Sequence, residues 1–149
     1  MVPRMLWAIT PFSTWSKVVG VLHIVSVVAA FGPVLVYPTL RRAGDRASLA
    51  CLHMHVVMPA LFLMWVFGMG LAGLSKPDGA DEPVFKVSET WLVLAVIDWV
   101  VLMAVGWFLI RPAISDASDS AGSRFSAGVG VTHLGLVVGL VLMIWKPGA

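Results

Sequence analysis

Four apolar stretches, each long enough to cross a bilayer, decide which solvent this chain can fold in. A spanning helix needs about 20 mostly apolar residues, and such runs occur at about 18–40, 49–74, 90–110 and 125–145. The first lies between Lys17 and the Arg41-Arg42 pair. The second holds no Asp, Glu, Lys or Arg, the third holds one acid, Asp98, and the fourth ends at Lys146. Gly44-Asp45, the polar Ser75-to-Lys86 segment with Pro77, Gly79 and Pro83, and the Ser115-to-Ser123 segment interrupt them as turns. The runs are too long for buried strands or soluble core helices. The expected fold is all-α, an integral membrane four-helix bundle forming one domain over residues 1–149, with little outside the bilayer.

Composition agrees. Only 12% of residues are charged and 59% are hydrophobic, against about a quarter charged in soluble domains, so polar surface is too scarce to coat a globule. The net charge of +2 is spread over loops with no dense basic stretch, which excludes nucleic acid as a partner. A lone cysteine, Cys51, excludes an intrachain disulfide. The first apolar run is too long for a signal-peptide core and no clear small-x-small cleavage site follows it, so it reads as a retained span. Residues 1–17, with Trp7, Phe12 and Trp15 beside Arg4 and Lys17, read as an interfacial segment. Trp15, Trp91 and Trp145 fall at three span ends on one side, as one aromatic belt.

Orientation rests on positive charge. The side bearing the termini carries Arg4, Lys17, Lys76, Lys86 and Lys146, and the other carries Arg41, Arg42, Arg46, Arg111 and Arg124. The arginines sit in shorter loops beside helix ends, where the positive-inside bias acts most strongly. A multi-pass protein of the cell (inner or plasma) membrane with both termini outside is the expectation.

Asp98 is the sharpest anomaly. A carboxylate deep in a span costs roughly 2.5–3.5 kcal/mol on insertion scales and normally faces inward to a partner. Counted from the same side at 1.5 Å per residue, His23 lies roughly 8 Å deep, Asp98 12 Å and His133 18 Å. A polar cluster of Asp98, His23 and His133 is therefore expected if the helices are neighbours. It reads either as a proton-handling or ligand-orienting site, or as a hydrogen bond fixing helix register. Gly20, Ser26 and Ala30 share the His23 side, a small-residue stripe that argues for His23 pointing inward.

Cofactor chemistry has two candidate sets. Cys51, His55 and Met58 at i, i+4 and i+7 would share a helix face, and thiol, imidazole and thioether all suit Cu(I). The same residues also read as ordinary packing. A haem b would sit between facing histidines of a small bundle. His23 and His53 lie near opposite surfaces and cannot share an iron, whereas His55 with His133, or His23 with His133, needs about 10 Å of depth absorbed by tilt. A single-histidine site escapes that constraint. On the fourth span, Gly135-x-x-x-Gly139, extended back by Gly128, makes a smooth ridge. If His133 faces the bundle centre, that ridge faces away and is free to meet a second copy or another membrane protein. The competing arrangement puts the ridge inside and His133 outside. Pro33, Pro38 and Pro59 are tolerated features of spanning helices.

The first span reads Leu22-His23, Phe31-Gly32 and Pro38-Thr39-Leu40-Arg41-Arg42. It resembles the opening helix of small bacterial four-helix membrane proteins, a group with copper-resistance D-like, protoporphyrinogen oxidase J-like and uncharacterised integral membrane members. The resemblance implies that His23 is the residue nearest a haem or metal. The third span departs from the porphyrin-oxidising pattern, carrying Asp98 and no intramembrane lysine.

The sequence shows no nucleophile–base pair, phosphate loop or paired carboxylates, which points away from an enzyme. The leading expectation is a bundle acting by interaction, as an accessory subunit of a larger membrane complex through helix 4. The alternative is a haem-b or copper protein in electron transfer or redox stress. A transporter ranks last, since four helices form a substrate path only as an oligomer.

Overall fold

The structure, a computed structural model, describes residues 13–75, 85–116 and 118–148. Expectations for residues 1–12 and for most of the Ser75-to-Lys86 loop lie outside these. Four helices run antiparallel: α1 (Thr14–Arg42), α2 (Arg46–Gly73), α3 (Thr90–Ser115) and α4 (Asp119–Trp145). No strand occurs among the described residues. At 1.5 Å per residue each exceeds the roughly 30 Å hydrocarbon thickness. Their outward surfaces carry Val21, Ile24, Val28, Phe62, Ile97, Phe108, Leu134 and Ile144, all exposed, which is the surface a lipid solvent requires.

Side-chain caps start three helices. Ser13 accepts from the Ser16 amide, Asp45 from Ser48 and Ser118 from Ala121, each satisfying an amide that the first turn leaves free. Proline shapes the interiors. Pro33 cannot donate to the preceding turn, and α1 tightens into a 3-10 turn over Pro33–Val36. Pro59 and Pro112 act the other way: each follows a wide π turn, His53–Val57 and Val105–Ile110. The residue before each proline reaches back five, Met58 N–H to His53 O and Arg111 N–H to Gly106 O.

α1 packs along α2, and α3 along α4. The small stripe of α1 behaves as expected, with His23, Ser26 and Ala30 buried. The main core gathers Phe31, Val34, Tyr37, Leu49, Val57, Leu61, Leu102, Ile110 and Phe125 in the half bearing the arginines. Arg41 closes that half, donating from Nη1 to Ala113 O at 3.0 Å and lying 4.6 Å from the Phe125 ring centroid. A smaller cluster of Ala72, Trp91 and Leu92, with Phe85 against it, lies in the other half.

Two expectations are corrected here. The glycine ridge of α4 packs inward: a methyl group on Gly128 would stand 2.6 Å from Ile110, and one on Gly135 2.7 Å from Leu102 and 3.1 Å from the Asp98 carboxyl. Gly139 also faces Asp98, at 3.6 Å. α3 uses the missing side chains for close approach, so the ridge is not a free surface. His133 does not turn outward in exchange. It shares a side with Val129 and Leu136, which pack on the core, and its Nε2 is buried. The aromatic belt is the second correction. Trp15 and Trp145 are 71% and 75% exposed, but Trp91 is buried at 7%, because its indole donates to Glu89 and its ring packs edge-on against Phe85.

Candidate functional site

The buried polar groups divide between two levels of the bundle. At the arginine-side level, His53 joins three helices. A carbonyl oxygen only accepts, so the 3.0 Å contact between His53 Nε2 and Gly106 O places the proton on Nε2. The neutral ring then accepts at Nδ1, and the Tyr37 hydroxyl donates to it at 2.9 Å. The chain Tyr37–His53–Gly106 thus runs from α1 through α2 to α3. It ties one π turn to the other, since His53 opens the first and Gly106 lies in the second. Glycine gives the close approach there: a Cβ on Gly106 would lie 3.5 Å from the His53 ring and 2.7 Å from Met58 Sδ, so the methionine side chain would have to shift. Every polar atom of this junction is used, which makes it architectural.

The other level differs. His23 donates from Nδ1 to Met64 O at 2.9 Å, which leaves Nε2 as an acceptor with no donor among the described residues. Gly68 admits the ring, since a Cβ there would stand 3.1 Å from Cε1. His23 lines a cavity of about 300 Å³ formed by all four helices, together with Asp98, Trp65, Trp99, Trp91 and Lys146. The remaining wall is mostly apolar: Val27, Phe31, Leu92, Ala95, Leu136 and Leu140, with Met64, Met69 and Met143. Trp65 and Trp99 stack with ring centroids 4.9 Å apart, and Trp99 is pinned by its indole N–H on Leu61 O at 2.9 Å.

Asp98 enters the cavity from α3 through the notch left by Gly135 and Gly139. Among the described residues no group hydrogen-bonds or ion-pairs with its carboxyl; the salt bridge found there joins Arg124 to Asp116 on the surface. Lys146 occupies the mouth. Its Nζ lies 4.1 Å from the Phe85 ring centroid and 5.7 Å from that of Trp91. Burial there lowers its pKa, opposed by the charge of Glu89.

The expected polar cluster is thus assembled in part. His23 and Asp98 share one cavity without touching, while His133 does not line it, and its Nε2 has no hydrogen-bond partner. The Cys51, His55, Met58 set is not assembled. The π turn inserts its wider winding between them, so Cys51 and His55 stay exposed and neighbouring, with His55 Nδ1 on Cys51 O at 3.2 Å. Met58 turns in against Gly106. Among the described residues no group of three or more His, Cys, Asp or Glu is placed to hold a metal. Neither His55 nor His133 lines the cavity that holds His23.

Sequence reasoning missed the Tyr37–His53 junction and the tryptophan walls. Two signals were available: the only tyrosine in the chain, and a Met-Pro and an Arg-Pro step inside spans, which mark wide turns. No family model, curated protein or solved structure matches this chain.

Proposed function

We propose that this protein is a small polytopic membrane protein that holds a lipophilic small molecule inside the bilayer, in the cavity between His23 and Asp98. The observation that carries this reading is the cavity itself. Its volume of about 300 Å³ falls at the lower end of small-molecule sites, which pair apolar walls with few polar groups. His23 and Asp98 at its wall both keep unused hydrogen-bonding capacity, whereas the polar groups of the His53 junction do not. A binding role needs no nucleophile or metal centre. An accessory role through the α4 ridge loses its surface, because that ridge is covered by α3.

The test is extraction of the purified protein with organic solvent and mass spectrometry, beside a variant whose cavity is filled, Ala95→Phe. A small molecule carried by the wild type and depleted from the variant is expected; identical extracts contradict the reading.

One observation favours haem b as a second reading. A histidine that binds iron donates its other ring nitrogen to a carbonyl or carboxylate, and His23 does so to Met64 O. His23 Nε2 would be the axial donor and the apolar cavity would exclude water; the bound group would supply electron-transfer chemistry. No second histidine lines the cavity, so the ligation would be single-histidine. A Soret band in the purified protein, lost in His23→Ala, is the expected result of this reading, and colourless protein from haem-replete cells removes it. For cellular placement, the arginines in the shorter loops support an orientation with both termini outside.

A further inference from the structure

The cavity carries an imidazole acceptor and an acid, neither met by a donor among the described residues, and that imbalance identifies the chemistry of its occupant. His23 Nε2 accepts, because Nδ1 is committed as donor to Met64 O. Asp98 brings a carboxyl to the same cavity without a donor or cation at hydrogen-bond distance among the described residues. A carboxyl in a low-dielectric wall stays ionised only when a counter-charge reaches it, and otherwise takes up a proton.

The charged groups that face the cavity leave Asp98 in need of one. Lys146 stands at the level of Trp91, and the seven residues from Trp91 to Asp98 correspond to about 10 Å of helix. Its Nζ is occupied by the Phe85 and Trp91 rings and by the field of Glu89. His23 makes no ion pair with Asp98. Between mouth and floor stand the stacked Trp65–Trp99 pair and apolar side chains. Aromatic faces attract cations, most strongly where water is excluded.

Building on the lipophilic-ligand reading above, we infer that the occupant is a lipophilic amine in its protonated form: an ammonium head between the Asp98 carboxylate and His23 Nε2, with an apolar body along the Trp65–Trp99 stack. The ammonium supplies the donors that His23 Nε2 and the Asp98 carboxylate do not receive from the described residues, and the charge that Asp98 lacks. The body replaces lipid against the apolar wall.

The experiment uses the full chain in nanodiscs of phosphatidylcholine, with dodecylamine and dodecanol as probes of equal chain length. Tryptophan emission is titrated for the wild type and for Asp98→Asn, which keeps the side-chain size and an acceptor oxygen. The amine is expected to perturb the emission saturably and to bind about tenfold or more tightly than the alcohol. Asp98→Asn is expected to remove that difference and leave the alcohol within about twofold of its wild-type affinity. Amine and alcohol binding equally to the wild type overturns the ammonium assignment and leaves the cavity reading standing. Neither probe binding saturably overturns both. The wild-type comparison decides the matter even if Asp98→Asn does not fold, and an amine preference that persists undiminished in folded Asp98→Asn assigns the charge recognition elsewhere and overturns the role of Asp98.

Discussion

The two halves of the bundle use the same residue type in opposite ways. In the arginine-bearing half, His53 spends both ring nitrogens within the protein, donating to Gly106 O and accepting from Tyr37. In the half with the termini, His23 spends one, and Asp98 on the wall of the same cavity has no bonded partner among the described residues. Packing follows the same division. The main core fills the first half, and a cavity of about 300 Å³ occupies the second. Burial of a histidine in a membrane helix thus does not distinguish structure from function. An unused ring nitrogen that opens onto a cavity, as in His23 and not in His133, is what sets the two apart.

The contrast predicts a ranking of effects. His53→Ala should be the most damaging change, costing about 3 kcal/mol or more, since it strands the Tyr37 hydroxyl and opens a cavity among packed side chains. Reversible unfolding in mixed micelles measures it, and a cost near that of His23→Ala, about 1 kcal/mol for one hydrogen bond, would erase the distinction between the halves. The glycines of α4 come next. Gly128→Ala drives a methyl group to 2.6 Å from Ile110 and should cost about 1–3 kcal/mol. Gly130→Ala meets nothing within 4 Å and should stay within about 0.5 kcal/mol of wild type.

Removing the orphaned nitrogen of His133 should work in the opposite direction. His133→Leu replaces a buried, unpartnered Nε2 by a hydrocarbon of similar bulk, and a gain of up to about 1 kcal/mol is expected. Strong destabilisation would mean that His133 has a partner in the membrane.

The smallest effect concerns pH. Asp45 caps α2, and its hydrogen bonds with the Ser48 side chain and amide hold its carboxyl below the ordinary value of 3.8. A depressed carboxyl stabilises the folded state above its unfolded value and loses that contribution as pH falls through the folded value. Fraying of the first turn of α2 should therefore appear only below pH 3.8; backbone NMR shifts of residues 46–48 follow it, and Asp45→Asn should flatten that titration.

The four spans and their antiparallel order were legible because solvent dictates them: about 20 apolar residues in a row have one stable arrangement in lipid. The inward face of His23 was legible too, from Gly20, Ser26 and Ala30 at helical spacing. What failed was whatever depended on exact helical phase. Cys51, His55 and Met58 share a face at 3.6 residues per turn, and the π turn before Pro59 removes that phase. The direction of the Gly135 ridge depended on which helix α4 packs against, a tertiary choice that spacing within one helix does not contain. The role of His53 is not contained in the relative depths of the histidines, because its partners are a tyrosine and a backbone carbonyl.

The central claim is that the His23–Asp98 cavity is a ligand site and the His53 junction is scaffold. Thermal unfolding in nanodiscs with increasing dodecylamine tests it most directly, because a ligand bound to the folded state raises the melting temperature with its concentration. Such a rise is expected for the wild type, surviving in Tyr37→Phe and lost in Ala95→Phe. A rise of equal size in Ala95→Phe, or no rise in the wild type, would contradict it.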